Sequence, residues 1–375
     1  MKRFGITGKL AIFAMFVISQ QFMNASGKQP GPPGQSIGKR PVNEAYLFAH
    51  MNLKDYGRLY YSVSLDGLHW NQLNDDKRVY DDYQGHPDIC KGHDGRYYLV
   101  GNQDDSDTDI KFWVSNDLVS WTRYSSVKPD LKKTPGYPDA FLKIGAPKLF
   151  YDKDSWQYVL TWHTPHQTSP DDSELYWASQ RTLYLTSKDL KTFSNPPRRL
   201  FDWDMGTIDT IIRKHDGRYY AIIKDERYPT LDWVTGKTVR ISSSNSLLGP
   251  YEKLSPPISP NFREAPTLIP SPDGKAWYMY YEQYPGVSYG LSVSKDLNGP
   301  WYQVSGYTFH KNWDKYSLPP KVRHGCMIPI SRAQYDTITK AFGTSKKASP
   351  ATDKCTDTGK TCKASQRHPD QKSNP

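Results

Sequence analysis

The sequence predicts an all-β fold, a five-bladed β-propeller closed by pairing of N-terminal strands with a C-terminal inner strand. Three recurrences predict it. A strand-opening segment appears at HPDIC 86–90, GAPKLF 145–150, IDTII 208–212, EAPTLI 264–269 and HGCMIPI 324–330, at intervals of roughly 60 residues, the scale of a propeller blade with its loops. After most of them comes a turn and an aromatic strand, most plainly HDGRYYLV 93–100 and HDGRYYAI 215–222, where Asp-Gly is a strong hairpin cue. A Ser-x-Asp turn leading to an aromatic then recurs, from Ser64 and Asp66 to Trp70, Ser115 and Asp117 to Trp121, Ser187 and Asp189 to Phe193, and Ser294 and Asp296 to Trp301.

Taken in chain order, the first stretch reads as a leader. Lys2, Arg3 and Lys9 precede an apolar run from Leu10 to Ser19, and small residues follow at Ala25-Ser26-Gly27. The run is shorter than the 20 or so residues that span a bilayer, so residues 1–26 are expected to be a signal peptide, with secreted or periplasmic localisation. Residues 27–42 are rich in Gly, Pro and Lys and read as a linker. Residues 43–343 form the propeller, with one short helix expected over 334–342. Residues 344–375 lack large apolar side chains and are expected to be a disordered tail.

Within the propeller, the first strands, Tyr46 to Ala49 and Leu59 to Ser62, have no inner strand before them, and 324–330 has no outer strands after it. Joining the two completes a blade, and each blade's apolar faces are covered by its neighbours. The 27 Tyr and 11 Trp suit such strands. A two-sheet sandwich would explain the strands but not the repeat. Of four cysteines, Cys355 and Cys362 could close a small loop, while Cys90 and Cys326 either pair in space or remain buried thiols.

The formal net charge is +10, with much of the excess in the tail. With no basic helix or nucleic-acid motif to sharpen it, the charge does not point to nucleic acid. Nor is a membrane partner expected beyond a leader anchor, and the chain is expected to be a monomer.

The starts of a propeller's inner strands converge on the central channel, and three of the five carry acids: Asp88, Asp209 and Glu264. Cleaving a glycosidic bond requires a proton donor and, opposite it, a base or nucleophile. Glu264, on an otherwise apolar strand where burial would keep it protonated, is the candidate acid. Asp209 would tune it, since a nearby carboxylate raises a neighbour's pKa. Asp88 would activate water. His86 and Asp88, two places apart on a strand, share a face, so Asp88 would point into the channel beside His86. His163 and His166 follow strand 158–162 next to Trp162 and could line the cleft, though a solvated loop is the favoured reading, and Trp162, Trp177, Trp233 and Tyr281 read as packing aromatics able to stack on sugar. Lys224-Asp225-Glu226-Arg227 leaves a strand at the end suited to contacts with hydroxyls.

These segments, and the order Asp, Asp, Glu, resemble glycoside hydrolase family 43, the five-bladed arabinofuranosidases, arabinanases and β-xylosidases, over about residues 45–330. GAPKLFYD is similar to the family's Trp-Ala-Pro segment, IDTII to its Ile-Asp-Pro strand with the pKa-modulating Asp, and REAPTLI to its Glu-Gly-Pro strand with the acid. Arg323-His324-Gly325 resembles a Gly-His-Gly segment whose His faces the channel near a water or calcium ion. The resemblance therefore implies a carbohydrate substrate and inversion with acid and base about 6.5–9.5 Å apart; with the stacking aromatics Trp162 and Tyr281, the expected substrate contacts are His86, His324 and Arg323. It requires no cofactor; any ion would be a structural channel calcium held by His324 and waters. The family's base stands in an Asp-Pro pair where this chain has His86-Pro87, so the base is Asp88, has passed to His86, or is lost. A carbohydrate-binding propeller without turnover and a protein-binding propeller are the competing readings.

Overall fold

The computed structural model describes residues 42–102, 108–137, 143–166, 174–283, 288–304 and 315–343. The expected leader, nearly all of the linker, the tail, and Cys355 and Cys362 lie outside them. The fold is all-β, with five antiparallel sheets arranged as the blades of a propeller.

Four blades are each contiguous in sequence. Their inner strands are Asp88–Lys91, Gly145–Asp152, Thr207–His215 and Arg263–Pro270, and each is followed outward by two or three more strands. The remaining blade draws on both ends of the repeat: Val322–Ile330 pairs antiparallel with Ala45–Asn52, which continues to Asp55–Ser64 and Asn71–Gln72. The inner strands touch in cyclic order, from Asp88–Lys91 through Gly145–Asp152, Thr207–His215, Arg263–Pro270 and Val322–Ile330 back to Asp88–Lys91.

The repeated motifs play the same local roles in successive blades. His215 pairs with Arg218 across a two-residue turn in which Asp216 and Gly217 have φ of 47° and 76°, the left-handed backbone that such a tight hairpin demands. In the Ser-x-Asp turns, Ser64 Oγ accepts from Gly67 N at 2.9 Å and Asp66 Oδ1 from Leu68 N at 2.8 Å. Ser115 and Asp117 repeat this with Leu118 and Val119, and Ser187 and Asp189 with Leu190 and Lys191. The acids in these turns satisfy backbone donors that would otherwise be left open.

Aromatic and branched side chains fill the space between blades. Trp162 joins Val100, Phe112, Leu149 and Leu183 in one interblade core; full burial of such a side chain contributes roughly 1.5–3 kcal/mol. A helix spans Arg332–Phe342, opened by Ser331 and Gln334 in a reciprocal capping box, and buries Ile338 in the core beside Leu47 and Tyr61. A second, five-residue helix, Glu174–Ala178, was not expected from the sequence. Cys90 and Cys326 are free thiols; Cys326 Sγ instead accepts from Ile89 N at 3.1 Å.

Candidate active site

Four inner strands carry an irregularity near their start: Val322–Ile330 skips His324, whose φ is 21°, in its register with Ala45–Asn52, and three others do the like. Strand register breaks between Gly145 and Lys148, Ile208 and Ile211, and Glu264 and Thr267, and Ala146, Asp209 and Ala265 have φ of 39°, 51° and 47°. A bulge re-aims side chains and interrupts the two-residue alternation of a strand. The result is a cavity of about 140 Å³ at the hub, lined by Asp209, Glu264, Glu226, Lys224, His86 and His324, with Tyr56, His163, Trp177, Lys237 and Arg323 around them.

Asp209 Oδ2 accepts from Ala265 N at 2.9 Å, which fixes the backbone next to Glu264. Among the described residues its Oδ1 is buried without a hydrogen-bond partner, an acceptor that costs free energy until it meets a donor.

Glu264 is buried among cations. Lys224 Nζ donates to its Oε2 at 2.9 Å, His324 Nε2 lies 3.2 Å from Oε1, and Arg323 Nη2 lies 3.6 Å from Oε1. Burial would raise its pKa, but Lys224 and His324 outweigh burial and hold the carboxyl well below the usual range. The expectation that burial keeps Glu264 protonated is therefore corrected: at rest it is an anion.

Lys224 Nζ also lies 2.6 Å from Glu226 Oε1, and Glu226 is shared in turn with Lys237, which reaches Glu174 at 3.0 Å. Burial opposes the Lys224 charge, yet Glu226 and Glu264 raise its pKa. This buried alternation of charge ties the short helix bearing Trp177 to the sheet.

His324 is held from behind by Glu282, whose Oε2 accepts from His324 N at 2.9 Å and which pairs with Arg323. Burial resists charge on His324, but Glu282 and Glu264 raise its pKa. His86 stands in the opposite condition: burial first, then the charges of His324 and Lys148, hold it well below 6.5. Its Nε2 lies 2.6 Å from Tyr56 Oη, and its Nδ1 has no partner among the described residues.

Three sequence expectations fail on geometry. Asp88 does not line the cavity; its Oδ2 accepts from Leu149 N at 2.8 Å on the neighbouring inner strand, as Thr267 Oγ1 accepts from Met327 N at 2.8 Å elsewhere in the ring. The strand begins only at Asp88, so the same-face rule does not reach back to His86. Trp162 is 2% exposed and belongs to the interblade core rather than the cavity. Tyr281 packs with Met279 and Leu297, its hydroxyl 3.1 Å from Ser292 Oγ, and borders a separate depression.

Asp209, Glu264, His86, Arg323 and His324 do meet at the cavity. Glu226, Lys224, Lys237 and Tyr56 join them there without having been expected as site residues, although the sequence puts the Lys224–Arg227 segment at the correct end of its strand. His163, read as a loop residue, is a buried strand residue facing the cavity. A Cβ at position 145 would come within 1.9 Å of its ring, so glycine there makes the room.

The calcium expectation can be tested on the donors. Glu264, Glu282 and His324 offer ligand atoms within 4.8 Å of one another. Calcium takes six to eight oxygen ligands, and these carboxylates already face Lys224, Arg323 and His324. The residues present do not fit calcium.

A family described as a probable glycosyl hydrolase domain, related to glycoside hydrolase family 43, matches residues 42–336. No curated protein matches the chain. Among solved structures, an exo-β-1,3-galactanase from Phanerochaete chrysosporium is 16% identical with a TM-score of 0.45, over 59% of this chain and 50% of that one. An α-L-arabinofuranosidase from Lactobacillus brevis is 13% identical, TM-score 0.46, over 58% and 71%. A xylan β-1,4-xylosidase from Bacillus halodurans C-125 is 17% identical, TM-score 0.48, over 67% and 47%. This chain thus spans about half the length of the galactanase and the xylosidase.

Proposed function

The chain belongs to the family of probable glycosyl hydrolase domains, and from that membership we propose that it hydrolyses O-glycosidic bonds in arabinose- or xylose-containing polysaccharides or oligosaccharides by an inverting route. The leader-like residues 1–26 support export of the enzyme. The observation that carries the reading is the convergence of Glu264 and Asp209, from separate blades, on one buried cavity. The cavity is smaller than the roughly 300–1,000 Å³ of pockets that enclose drug-sized ligands. Its size supports binding of a single sugar unit at the cleaved bond, with Trp177 as a wall for the ring.

In this proposal Asp209 Oδ1 accepts a sugar hydroxyl, and Glu264 faces the leaving oxygen. The proton resides at rest on His324 Nε2, 3.2 Å from Glu264 Oε1, and passes through that carboxylate to the leaving oxygen as the C–O bond breaks. Neutral His86 takes a proton from the water that attacks the anomeric carbon. When His86 Nε2–H donates to Tyr56, Nδ1 keeps an unused lone pair for this purpose. Proton transfer from a positioned group contributes about 10²–10⁴-fold in rate.

The test is turnover of chromogenic α-L-arabinofuranosides and β-D-xylosides by the wild type and Glu264→Gln, with the anomer of the first product read by NMR. Inverted product and a loss of at least about 10²-fold in the variant support the reading; undiminished turnover by Glu264→Gln removes it. The ionised state of Glu264 and the histidine at position 86 favour one alternative, a sugar-binding site without turnover. Binding of arabino- or xylo-oligosaccharides with no product after prolonged incubation would establish that alternative.

A further inference from the structure

Beside the cavity lies a second, larger depression that the hydrolytic reading leaves unused. It is a groove of about 720 Å³ walled by Trp203, Met205, Trp233, Leu254 and Pro256. Trp203 stacks on Phe201, ring centroids 4.2 Å apart and planes 3° from parallel, which fixes its orientation. Trp233 carries the Arg227 guanidinium 4.3 Å from its ring centroid and remains 39% exposed.

The groove is positively charged. Arg227 and Arg240 both pair with the one buried carboxylate of Asp225, so that acid cannot offset them both. Asp204 at the rim is answered by Arg181 at 2.9 Å. Lys253, also on the lining, is exposed and makes no ion pair among the described residues.

Groove and cavity share a wall. Glu226 N donates to Gly206 O at 2.9 Å; Glu226 faces the cavity, while Met205 and Arg227, one residue to either side of this pair, line the groove. A chain whose end residue occupies the cavity therefore has an adjoining channel with flat apolar walls and unspent positive charge. Flat walls suit sugar rings, and guanidinium groups suit carboxylate or sulfate oxygens.

We propose that this groove is a subsite for an anionic sugar residue, a uronate or a sulfate ester, in the same polysaccharide chain. It rests on the reading of the cavity as a carbohydrate site, and its test does not use hydrolysis. The full chain is run in native gels containing polygalacturonate, dextran sulfate or neutral dextran, alongside Trp233→Ala, Trp203→Ala and Lys253→Glu.

Retardation by polygalacturonate alone assigns the uronate, by dextran sulfate alone the sulfate ester, and by both their shared anionic chemistry. In each case the tryptophan variants, whose charge is unchanged, lose about tenfold in apparent affinity, and Lys253→Glu loses at least as much. Because the gels read binding and not turnover, a failed hydrolysis assay leaves this result standing. Retardation that the tryptophan substitutions do not reduce would come from the net positive charge of the chain and would overturn the proposal. So would mobility in both charged gels equal to that in neutral dextran.

Discussion

The imidazoles of His86 and His324 stack with ring centroids 4.7 Å apart and planes 28° from parallel, and their proton affinities are pushed in opposite directions. Burial and the neighbouring positive charge hold the His86 pKa well below 6.5, whereas on His324 Glu282 and Glu264 overcome burial and raise it. Each ring helps set the other, because a second charge 4.7 Å away would be repelled.

This pair predicts a bell-shaped dependence of kcat/KM on pH. The acid limb lies below about 6.5, where His86 takes a proton, and the alkaline limb above about 6.5, where His324 loses one. His86→Gln should lose turnover by about 10²–10⁴-fold and with it the acid limb. An unchanged acid limb in that variant would assign the limb to another group.

Stability should follow the same two rings with opposite signs. The raised pKa of His324 makes its contribution complete below about pH 6.5 and lost as pH rises through its folded value. For His86 the folded pKa is depressed, so stability falls as pH drops below about 6.5 and the unfolded chain takes up the proton. Thermal unfolding of the wild type and of His324→Gln between about pH 6 and 9 checks this: the deficit of the variant should shrink as pH rises.

Asp88→Ala should behave as a stability variant. Removing the carboxylate leaves the buried Leu149 amide without its acceptor, a cost of about 1–3 kcal/mol, while turnover at saturating substrate stays within about threefold of wild type, less than the effect of losing a proton-transfer group. Denaturant unfolding and initial rates measured on the same preparation separate the two. A loss of about 10²-fold in turnover with stability unchanged would return Asp88 to the chemistry.

The repeat made the blades legible because each repeated motif does something local. Asp216-Gly217 turns a hairpin, and Ser115 with Asp117 closes a loop. It also brought Asp209 and Glu264 to the hub, since the starts of inner strands converge there. Where side chains point was less legible. The bulge at Ala146, Asp209 and Ala265 breaks the alternation on which a face assignment relies, and the strand does not extend back from Asp88 to His86. Glu226 and Lys237 reach the cavity from the ends of second and third strands of their blade, positions that a reading centred on inner strands passes over. The protonation state of Glu264 was hidden for a related reason: burial is readable from an apolar strand, but Lys224 arrives from a residue 40 positions away.

Chelation should change nothing. Glu264 and Glu282 already face the Lys224, Arg323 and His324 cations, so no divalent ion is needed to neutralise them. Treatment with EDTA, followed by added calcium, should leave both the unfolding temperature and the rate where they were. A calcium-dependent rise in unfolding temperature would show a site binding the native state.

Lys224→Met tests the charge alternation itself. Its Nζ lies 2.6 Å from Glu226 and 2.9 Å from Glu264, so the substitution leaves two buried carboxylates undercompensated, a loss of about 3–5 kcal/mol. The dependence on pH should also weaken. In the wild type the depressed pKa of Glu264 gives stability that is present above about pH 4.5 and lost as pH falls. Without the lysine, burial is opposed only by His324 and Arg323, so less of that stability remains. The deficit relative to wild type should therefore be larger at about pH 7.5 than at about pH 3.5, read as the difference in unfolding free energy at each. An equal deficit at both would mean that Lys224 contributes through packing of its aliphatic stem rather than through its charge.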